Sequence, residues 1–127
     1  MRRALAGLAA LLAVAIAGPA ARAQPPQGDP AQGQALFQDR CGMCHVLGGQ
    51  GMGPELTGVV GRKSAIVPGF SYTPALAASG LTWTPDNLDR WLADPRALVP
   101  GTAMRIKVLV AGDRRDLIAY LATLRTH

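Results

Sequence analysis

Both cysteines of the chain lie in one short motif, Cys41-Gly-Met-Cys44-His45, and this motif restricts what the chain can fold around. Two thiols separated by two residues predict a redox disulfide, half of a zinc site, or the anchors of a haem. A histidine directly after the second cysteine is the attachment signature of a c-type haem. The thiols add to two vinyl groups at one haem edge, and His45 is then placed to donate a ring nitrogen to the iron.

The other interpretations of the motif find less support in the sequence. A structural zinc site needs four ligands, usually from two such pairs, and the chain has no second cysteine pair. A thioredoxin-like dithiol lies at a strand-to-helix turn, and no convincing strand pattern is present. A disulfide across two residues closes a very small loop and stabilises little. The motif therefore favours one covalent haem c.

The N-terminus has the pattern of a secretory signal. A short positive start, Met1-Arg2-Arg3, precedes an apolar run over 4–17, and Ala21-Arg22-Ala23 supplies the small residues of a cleavage site. We expect cleavage between Ala23 and Gln24 and export to a bacterial periplasm. The alternative is an uncleaved membrane anchor, although the run is shorter than the roughly 20 residues that span a bilayer. The predicted organisation is a signal peptide (1–23), a flexible linker (24–28) and one domain (29–127).

Removing the signal changes the charge of the chain. The formal net charge of +5 includes Arg2, Arg3 and Arg22, so the mature part keeps ten basic side chains against eight acidic ones. Nucleic-acid binding requires Lys and Arg clustered on one face, which this mildly basic domain lacks. The sequence also contains no later apolar stretch long enough to cross a membrane.

Capping patterns predict an all-α domain with long loops. Proline after a capping residue predicts helices over 31–40, 75–79 and 85–93, which begin after Asp29, Thr73 and Thr84 respectively. Asp113 and Asp116 resemble a capping box that opens the last helix. Its apolar face consists of Leu117, Ile118, Tyr120, Leu121 and Leu124. The Gly-rich segment 42–68 is expected to be loop and turn.

A haem held by one histidine needs a second axial ligand or an open site. His127 is the last residue, and we expect it to lie in a solvated tail. Met43 belongs to the attachment loop and is expected to point away from the iron, and Met52 is close in sequence to His45. Met104 follows the turn at Pro100-Gly101, which aims the thioether inward, so Met104 is the favoured ligand.

With these features the sequence resembles the class I cytochromes c of mitochondria and bacteria. The similarity extends from Gly28 through the mature chain. It rests on Gly33, Phe37, Cys41, Cys44, His45, Gly53-Pro54-Glu55-Leu56, Gly61-Arg62-Lys63, Pro68-Gly69-Phe70-Ser71-Tyr72-Thr73, Trp83, Asp94-Pro95, Pro100-Gly101-Thr102-Ala103-Met104 and Asp116-Leu117-Ile118-Ala119-Tyr120-Leu121. The resemblance implies crossed first and last helices, with shorter helices and loops wrapped around one haem, and Met104 as the distal ligand.

The resemblance also implies roles around the haem. The Pro54 carbonyl accepts the other ring N–H of His45. Arg62, Tyr72 and Trp83 match residues that bind the propionates, and Thr102 matches a hydroxyl near a propionate and the distal ligand. Trp91 stands where the family usually has a tyrosine whose hydroxyl approaches the ligand sulfur, so its bond to Met104 stays open here.

Four further departures concern the surface and the loops. The loop before Pro54 is short, Ile106 replaces a usual aromatic residue, and the segment after Met104 is one residue shorter. The basic ring that guides partner docking is thin. Its candidates are Arg40, Lys63, Arg96, Arg105 and Lys107.

The functional prediction is an exported, soluble, monomeric electron carrier with one His/Met-ligated haem c and no catalytic residue. Its partners are expected to be membrane or soluble redox proteins bound transiently, and neither nucleic acid nor a permanent membrane span is expected. The alternatives are a haem subunit of a dehydrogenase or oxidase, an enzyme or gas sensor with a vacant distal site, and a haem-free dithiol protein.

Overall fold

The computed structural model describes Gly18 and residues 27–125, and five helices follow one another within that part. They are α1 (Pro30–Arg40), α2 (Pro74–Ala78), α3 (Pro85–Ala93), α4 (Pro95–Leu98) and α5 (Ala111–Leu121). The described part contains one isolated bridge, Lys63 to Thr82, and no strand. The all-α prediction is therefore confirmed. The signal peptide, its cleavage site and His127 lie outside the described residues.

The first and last helices cross at Gly33, and the family resemblance implied that these two helices cross. A Cβ built on Gly33 would collide with the backbone carbonyl of Asp116 and lie 2.8 Å from the Cβ of Tyr120. Next to this crossing the rings of Phe37 and Tyr120 pack with centroids 5.4 Å apart. Asp116 also accepts a hydrogen bond from the backbone N–H of Asp29 at 2.7 Å. The glycine is thus required by close backbone contact between α1 and α5.

Three predicted helix starts are capped as expected. Asp29 accepts from the N–H of Ala31 at 2.8 Å, and Thr73 and Thr84 accept from N–H groups three residues further on. A proline occupies the first turn in each case, where its missing N–H costs nothing. α2 ends before Gly80, which has a φ of 64°. Gly28, which the sequence analysis placed in the flexible linker, packs against the carbonyl of Arg115.

The predicted capping box of the last helix is wrong. α5 begins at Ala111 with Val110 as the residue before it, and no side chain caps this end. Asp113 lies within the first turn, and Asp116 bonds to the start of α1 instead. The helix starts earlier because the preceding segment is fixed by Val108, which is 1% exposed and donates its N–H to the Leu92 carbonyl.

Sequence reasoning missed the short helix α4. Asp94 accepts hydrogen bonds from the backbone N–H groups of Arg96 and Ala97, with Pro95 at the first position. The same Asp-Pro pattern that ends α3 therefore opens a further turn. This turn delivers the chain to Pro100 and Gly101, just before Met104.

The core combines helical side chains with side chains from loops. Val59, Trp83, Val99 and Val108 are buried although they lie outside the helices. Within the described residues, the hydrophobic core cluster consists of Phe37, Val59, Leu76, Trp83, Leu88, Trp91, Leu92, Val99, Val108, Leu117, Tyr120 and Leu121. Cys41, Tyr72 and Met104 pack against its margin while partly exposed. Among the described helices, none is both long and apolar enough to cross a membrane.

Candidate haem site

The turn after α1 presents the two thiols and His45. The N–H of Cys41 donates to the Phe37 carbonyl at 2.8 Å. The N–H groups of Cys44 and His45 then both donate to the Cys41 carbonyl, at 3.1 and 2.9 Å. The cysteines are free and half-buried, and burial raises the pKa of the Cys41 thiol.

The imidazole of His45 is oriented by Pro54. Its Nδ1 lies 2.8 Å from the Pro54 carbonyl oxygen, as expected. Because a carbonyl can only accept, Nδ1 carries the proton and Nε2 keeps its lone pair. Burial lowers the pKa of His45, and the bond to Pro54 opposes this only in part. At neutral pH the ring is therefore neutral, which is the form that binds a metal.

Gly53 allows the backbone to lie directly against this ring. A Cβ at Gly53 would lie 2.5 Å from Cε1 of His45. The N–H of Gly53 donates to the Cys44 carbonyl at 2.9 Å, so the loop closes back onto the motif. The position and tilt of the ring are thus set by backbone atoms.

Met104 and Trp91 are in direct contact. The indole Nε1 of Trp91, on α3, donates to Sδ of Met104 at 3.2 Å. Gly101, with a φ of 94°, and the bond from Thr102 N–H to the Val99 carbonyl form the turn that leads to Met104. The contact that the sequence left open is therefore present. This hydrogen bond uses one lone pair of the Met104 sulfur, so the second lone pair stays available.

Arg62 has a buried donor without a partner. Its Nη1 and Nη2 donate to the carbonyls of Thr57 and Glu55, both at 3.0 Å. Its Nε is buried and unpaired within the described part of the chain. A buried unpaired donor on a cation is costly, and an anionic carboxylate is its strongest partner.

The other residues assigned to the propionate side lie near Arg62 or in the core. Trp83 pairs with Arg62 through a backbone N–H to carbonyl bond of 2.8 Å, and its indole stands edge-on to Trp91. The Tyr72 hydroxyl accepts from the N–H of Val67 at 3.1 Å, so its own proton can still be donated. Thr102 is 3% exposed.

The two remaining methionines of the described part point to solvent. Met43 is 89% exposed and Met52 is 83% exposed. The described residues also bring no three His, Cys, Asp or Glu side chains together into a metal cluster. This gives the zinc interpretation no support.

Sequence reasoning missed the role of Glu55 beside Arg62. Its carboxylate accepts from the N–H and hydroxyl of Thr57 and from the N–H of Gly48. Burial alone raises the pKa of Glu55, but these bonds and the Arg62 charge together hold it below its ordinary value. The short spacing Glu-x-Thr was the available signal, since a carboxylate readily caps an N–H two residues on.

The donor set fits a covalent haem c. Two free thiols lie in one turn, a neutral imidazole keeps Nε2 available, and a buried guanidinium donor lacks an anionic partner. A helical chain with a Cys-x-x-Cys-His turn of this kind is a c-type haem protein.

Comparison with known proteins also identifies a c-type haem protein. The family model of cytochrome c matches residues 30–125. Cytochrome c2 of Rhodopila globiformis is 45% identical over 103 residues, which are 79% of this chain and 97% of that protein. Cytochrome c of Gibberella zeae is 45% identical over 98 residues, which are 74% and 92% of the two chains. The solved structure of cytochrome cH from Methylobacterium extorquens is similar with a TM-score of 0.72 and 43% identity, covering 76% of this chain and 99% of that one.

The chain belongs to the cytochrome c family. Its cofactor is one covalently bound haem c, with Cys41 and Cys44 as the two cysteines of the attachment motif. It is a monohaem electron carrier.

Proposed function

We propose that this chain is an exported carrier of single electrons whose iron is ligated by His45 and Met104. The observation that carries the proposal is the hydrogen bond from Trp91 to Met104 Sδ. A thioether often only fills space in a core, whereas this sulfur accepts a hydrogen bond from a buried indole, and the bond holds it in one orientation. When bound, the haem supplies an iron that changes between ferric and ferrous by one electron.

His45 supplies the proximal ligand in this proposal. The Pro54 carbonyl holds the Nδ1 proton, and Gly53 gives the ring its orientation, so Nε2 is the nitrogen left for the iron. A hydrogen bond donated by the non-ligating ring N–H makes a histidine a stronger donor to the iron. The tautomer does not have to change when the electron arrives.

Met104 supplies the distal ligand. A soft, neutral sulfur donor favours ferrous iron and raises the potential. The Trp91 N–H withdraws electron density from the same sulfur and acts in the same direction. With His45 and Met104 holding the iron, a substrate would have no free coordination site there, and we nominate no catalytic acid, base or nucleophile.

Arg62, Tyr72, Trp83 and Thr102 are proposed to hold the propionate side. The unpaired Nε of Arg62 is the donor that a carboxylate would satisfy. The hydroxyls of Tyr72 and Thr102 and the Trp83 indole provide further donors at the edge of the core.

The proposal includes export and transient partners. The signal-like segment 1–23 supports a periplasmic location with a mature chain starting at Gln24, and the alternative is an uncleaved anchor. The mass of the chain recovered from the periplasm of its host distinguishes the two. We propose a monomer, and the alternative of a haem subunit predicts co-purification with a dehydrogenase or oxidase.

The surface charge supports weak electrostatic steering. Lys107 is paired with Asp94 at 2.7 Å, and Arg40 donates to the Lys107 carbonyl, so both cations are engaged in contacts within the chain. Lys63, Arg96 and Arg105 are exposed and remain for partner docking. Association with a partner is therefore expected to depend only modestly on salt.

Carbon monoxide binding tests the proposal. Reduced holoprotein at neutral pH is expected to bind carbon monoxide slowly, because Met104 must leave first. The Met104→Ala variant is the matched control and is expected to bind it rapidly. Equally rapid binding in the parent would identify a vacant distal site and support a sensor or peroxidase instead.

A further inference from the structure

The segment that follows Met104 is held by two arginines from the two terminal helices. Residues 105–110 contain no helix or strand. Arg40, at the end of α1, donates to the carbonyl of Lys107 at 3.0 Å. Arg114, on α5, donates through Nη1 to the carbonyls of Val108 and Leu109, both at 2.9 Å. Three consecutive carbonyls are thus bound by guanidinium groups, and we refer to this arrangement as the arginine clamp.

Arg114 is itself firmly placed. Its Nε donates to Oδ1 of Asp89 at 2.7 Å, and its side chain is only 14% exposed, whereas that of Asp89 is 44% exposed. Asp89 lies on α3, two residues before Trp91. Arg114 therefore ties the segment after Met104 to the helix whose indole donates to the Met104 sulfur.

Backbone-to-backbone hydrogen bonds fix this segment at two points. The N–H of Val108 donates to the Leu92 carbonyl at 2.7 Å, and the Val110 carbonyl accepts from the N–H of Arg114 at 3.2 Å, where α5 begins. The carbonyls of residues 107–109 are held by the arginine side chains. The Lys107 side chain adds an exposed ion pair with Asp94, and such a pair contributes little. Hydrogen bonds from charged donors are about twice as strong as neutral ones. The clamp is thus the main restraint beyond the burial of Val108.

We infer that Arg114, assisted by Arg40, is a positioning residue that keeps Met104 at the iron. The inference rests on the proposed role of Met104 as distal ligand. A ligand from solvent binds only the fraction of molecules in which Met104 has left. Its apparent affinity is the intrinsic affinity multiplied by that fraction. Removing the clamp loosens the segment around residues 107–109, which follows Met104, and raises the open fraction.

Imidazole binding to the ferric holoprotein measures the open fraction. Arg114→Ala is expected to bind imidazole about tenfold more tightly than the parent, which corresponds to a tenfold larger open fraction. The imidazole affinity of Arg114→Lys is expected to lie between those of the parent and Arg114→Ala, because an ammonium can replace only some of the hydrogen bonds that the guanidinium donates. Arg40→Ala, which removes one carbonyl contact, is expected to show a smaller effect in the same direction. The matched control is Arg115→Ala, an exposed arginine next to Arg114 on the same helix.

A second control separates positioning from general destabilisation. Val59→Ala removes a buried core side chain that is 3% exposed and lies outside the clamp. It is expected to lower the free energy of unfolding while leaving the imidazole affinity near that of the parent. If imidazole affinity simply follows global stability across Val59→Ala and Arg114→Ala, Arg114 is a structural residue and the inference is wrong.

The remaining outcomes distinguish this inference from the proposed function. If Met104→Ala and the parent bind imidazole equally tightly, Met104 is not the ligand and both proposals fail. If Met104→Ala binds far more tightly than the parent but Arg114→Ala behaves like Arg115→Ala, the function stands and the clamp is overturned. Should Arg114→Ala not fold, Arg114→Lys and Arg40→Ala give the same readout.

Discussion

The indole N–H of Trp91 donates to Met104 Sδ at 3.2 Å, at a position where class I cytochromes usually carry a tyrosine. With Met104 as the proposed ligand, a donor on the sulfur reduces the electron density that the sulfur gives to the iron. Less donation disfavours the ferric state, which has the higher charge. Trp91 is therefore placed to adjust the reduction potential without contacting the iron.

Replacing Trp91 tests this effect on the potential. Trp91→Phe keeps an aromatic ring but removes the donor. A weak hydrogen bond of about 0.5–1 kcal/mol corresponds to a fall in reduction potential of roughly 20–40 mV for one electron. Trp91→Tyr, which can restore a donor, is the matched control and is expected to recover part of the loss in a redox titration. A potential for Trp91→Phe within a few millivolts of the parent would show that the bond has no redox role.

Single residues differ in how well the sequence predicts them. The motif from Cys41 to His45 follows from local spacing, and the Pro54 contact was implied by the family resemblance. The contacts of Arg114 and Asp116 were missed because their partners are remote in sequence: Asp116 bonds to Asp29, 87 positions away. No local sequence pattern indicates that a charged side chain forms hydrogen bonds with backbone groups that are distant in the sequence.

The crossing of α1 and α5 is the tightest contact between helices in the described part of the chain. Because Gly33 faces the Asp116 carbonyl with no space for a methyl group, the two backbones are in contact. This contact orients α1, and the end of α1 carries the turn with Cys41, Cys44 and His45.

Adding one methyl group at the crossing tests its importance. Gly33→Ala is expected to lower the free energy of unfolding by about 2 kcal/mol, because overpacking outweighs the helix propensity of alanine. Gly112→Ala is the matched control on α5, since a Cβ there meets nothing closer than 3.8 Å. It is expected to leave stability unchanged or to raise it by up to about 1 kcal/mol. Equal effects of the two substitutions in denaturant titrations would contradict the close contact.

The turn of α4 predicts a pH dependence. The hydrogen bond from Lys107, with those from Ala97 and Arg96, holds the pKa of Asp94 below its ordinary value. A carboxylate with a lowered folded-state pKa stabilises the fold above its unfolded pKa of about 4, and this contribution is lost as the pH falls through the folded value.

Asp94→Asn checks this dependence, because asparagine keeps the cap but loses the charge. The variant is expected to be less stable than the parent at pH 7, and the difference should shrink as the pH falls below about 4. Asp39→Asn, at an exposed position on α1, serves as the control. A difference between parent and Asp94→Asn that stays constant from pH 7 to pH 3 would rule out the ion pair as its source.

Elements with local start signals were predicted well, and those without them were not. Asp29, Thr73 and Thr84 followed by proline identified three helices within a residue or so at each end. α5 begins at Ala111 without a cap because tertiary contacts of the preceding segment set its start, and such contacts leave no capping pattern. α4 was missed because Asp94-Pro95 serves both as the stop of one helix and the start of the next.

At the scale of the whole molecule, the described part of the chain arranges its few elements around the proposed haem ligands. α1 delivers His45, α3 delivers Trp91, and the turn after α4 delivers Met104. The sequence could predict this arrangement because the motifs occur in the order of a known family. It could not predict the arginine clamp, because that depends on three chain segments meeting in space.

The near-infrared spectrum of the ferric holoprotein is the most direct test of the central claim. A methionine sulfur bound to ferric iron gives a weak charge-transfer band there. The account predicts this band in the parent and its loss in Met104→Ala, with the haem still covalently attached in both proteins. Persistence of the band in Met104→Ala, or its absence from the parent, would contradict Met104 as the distal ligand.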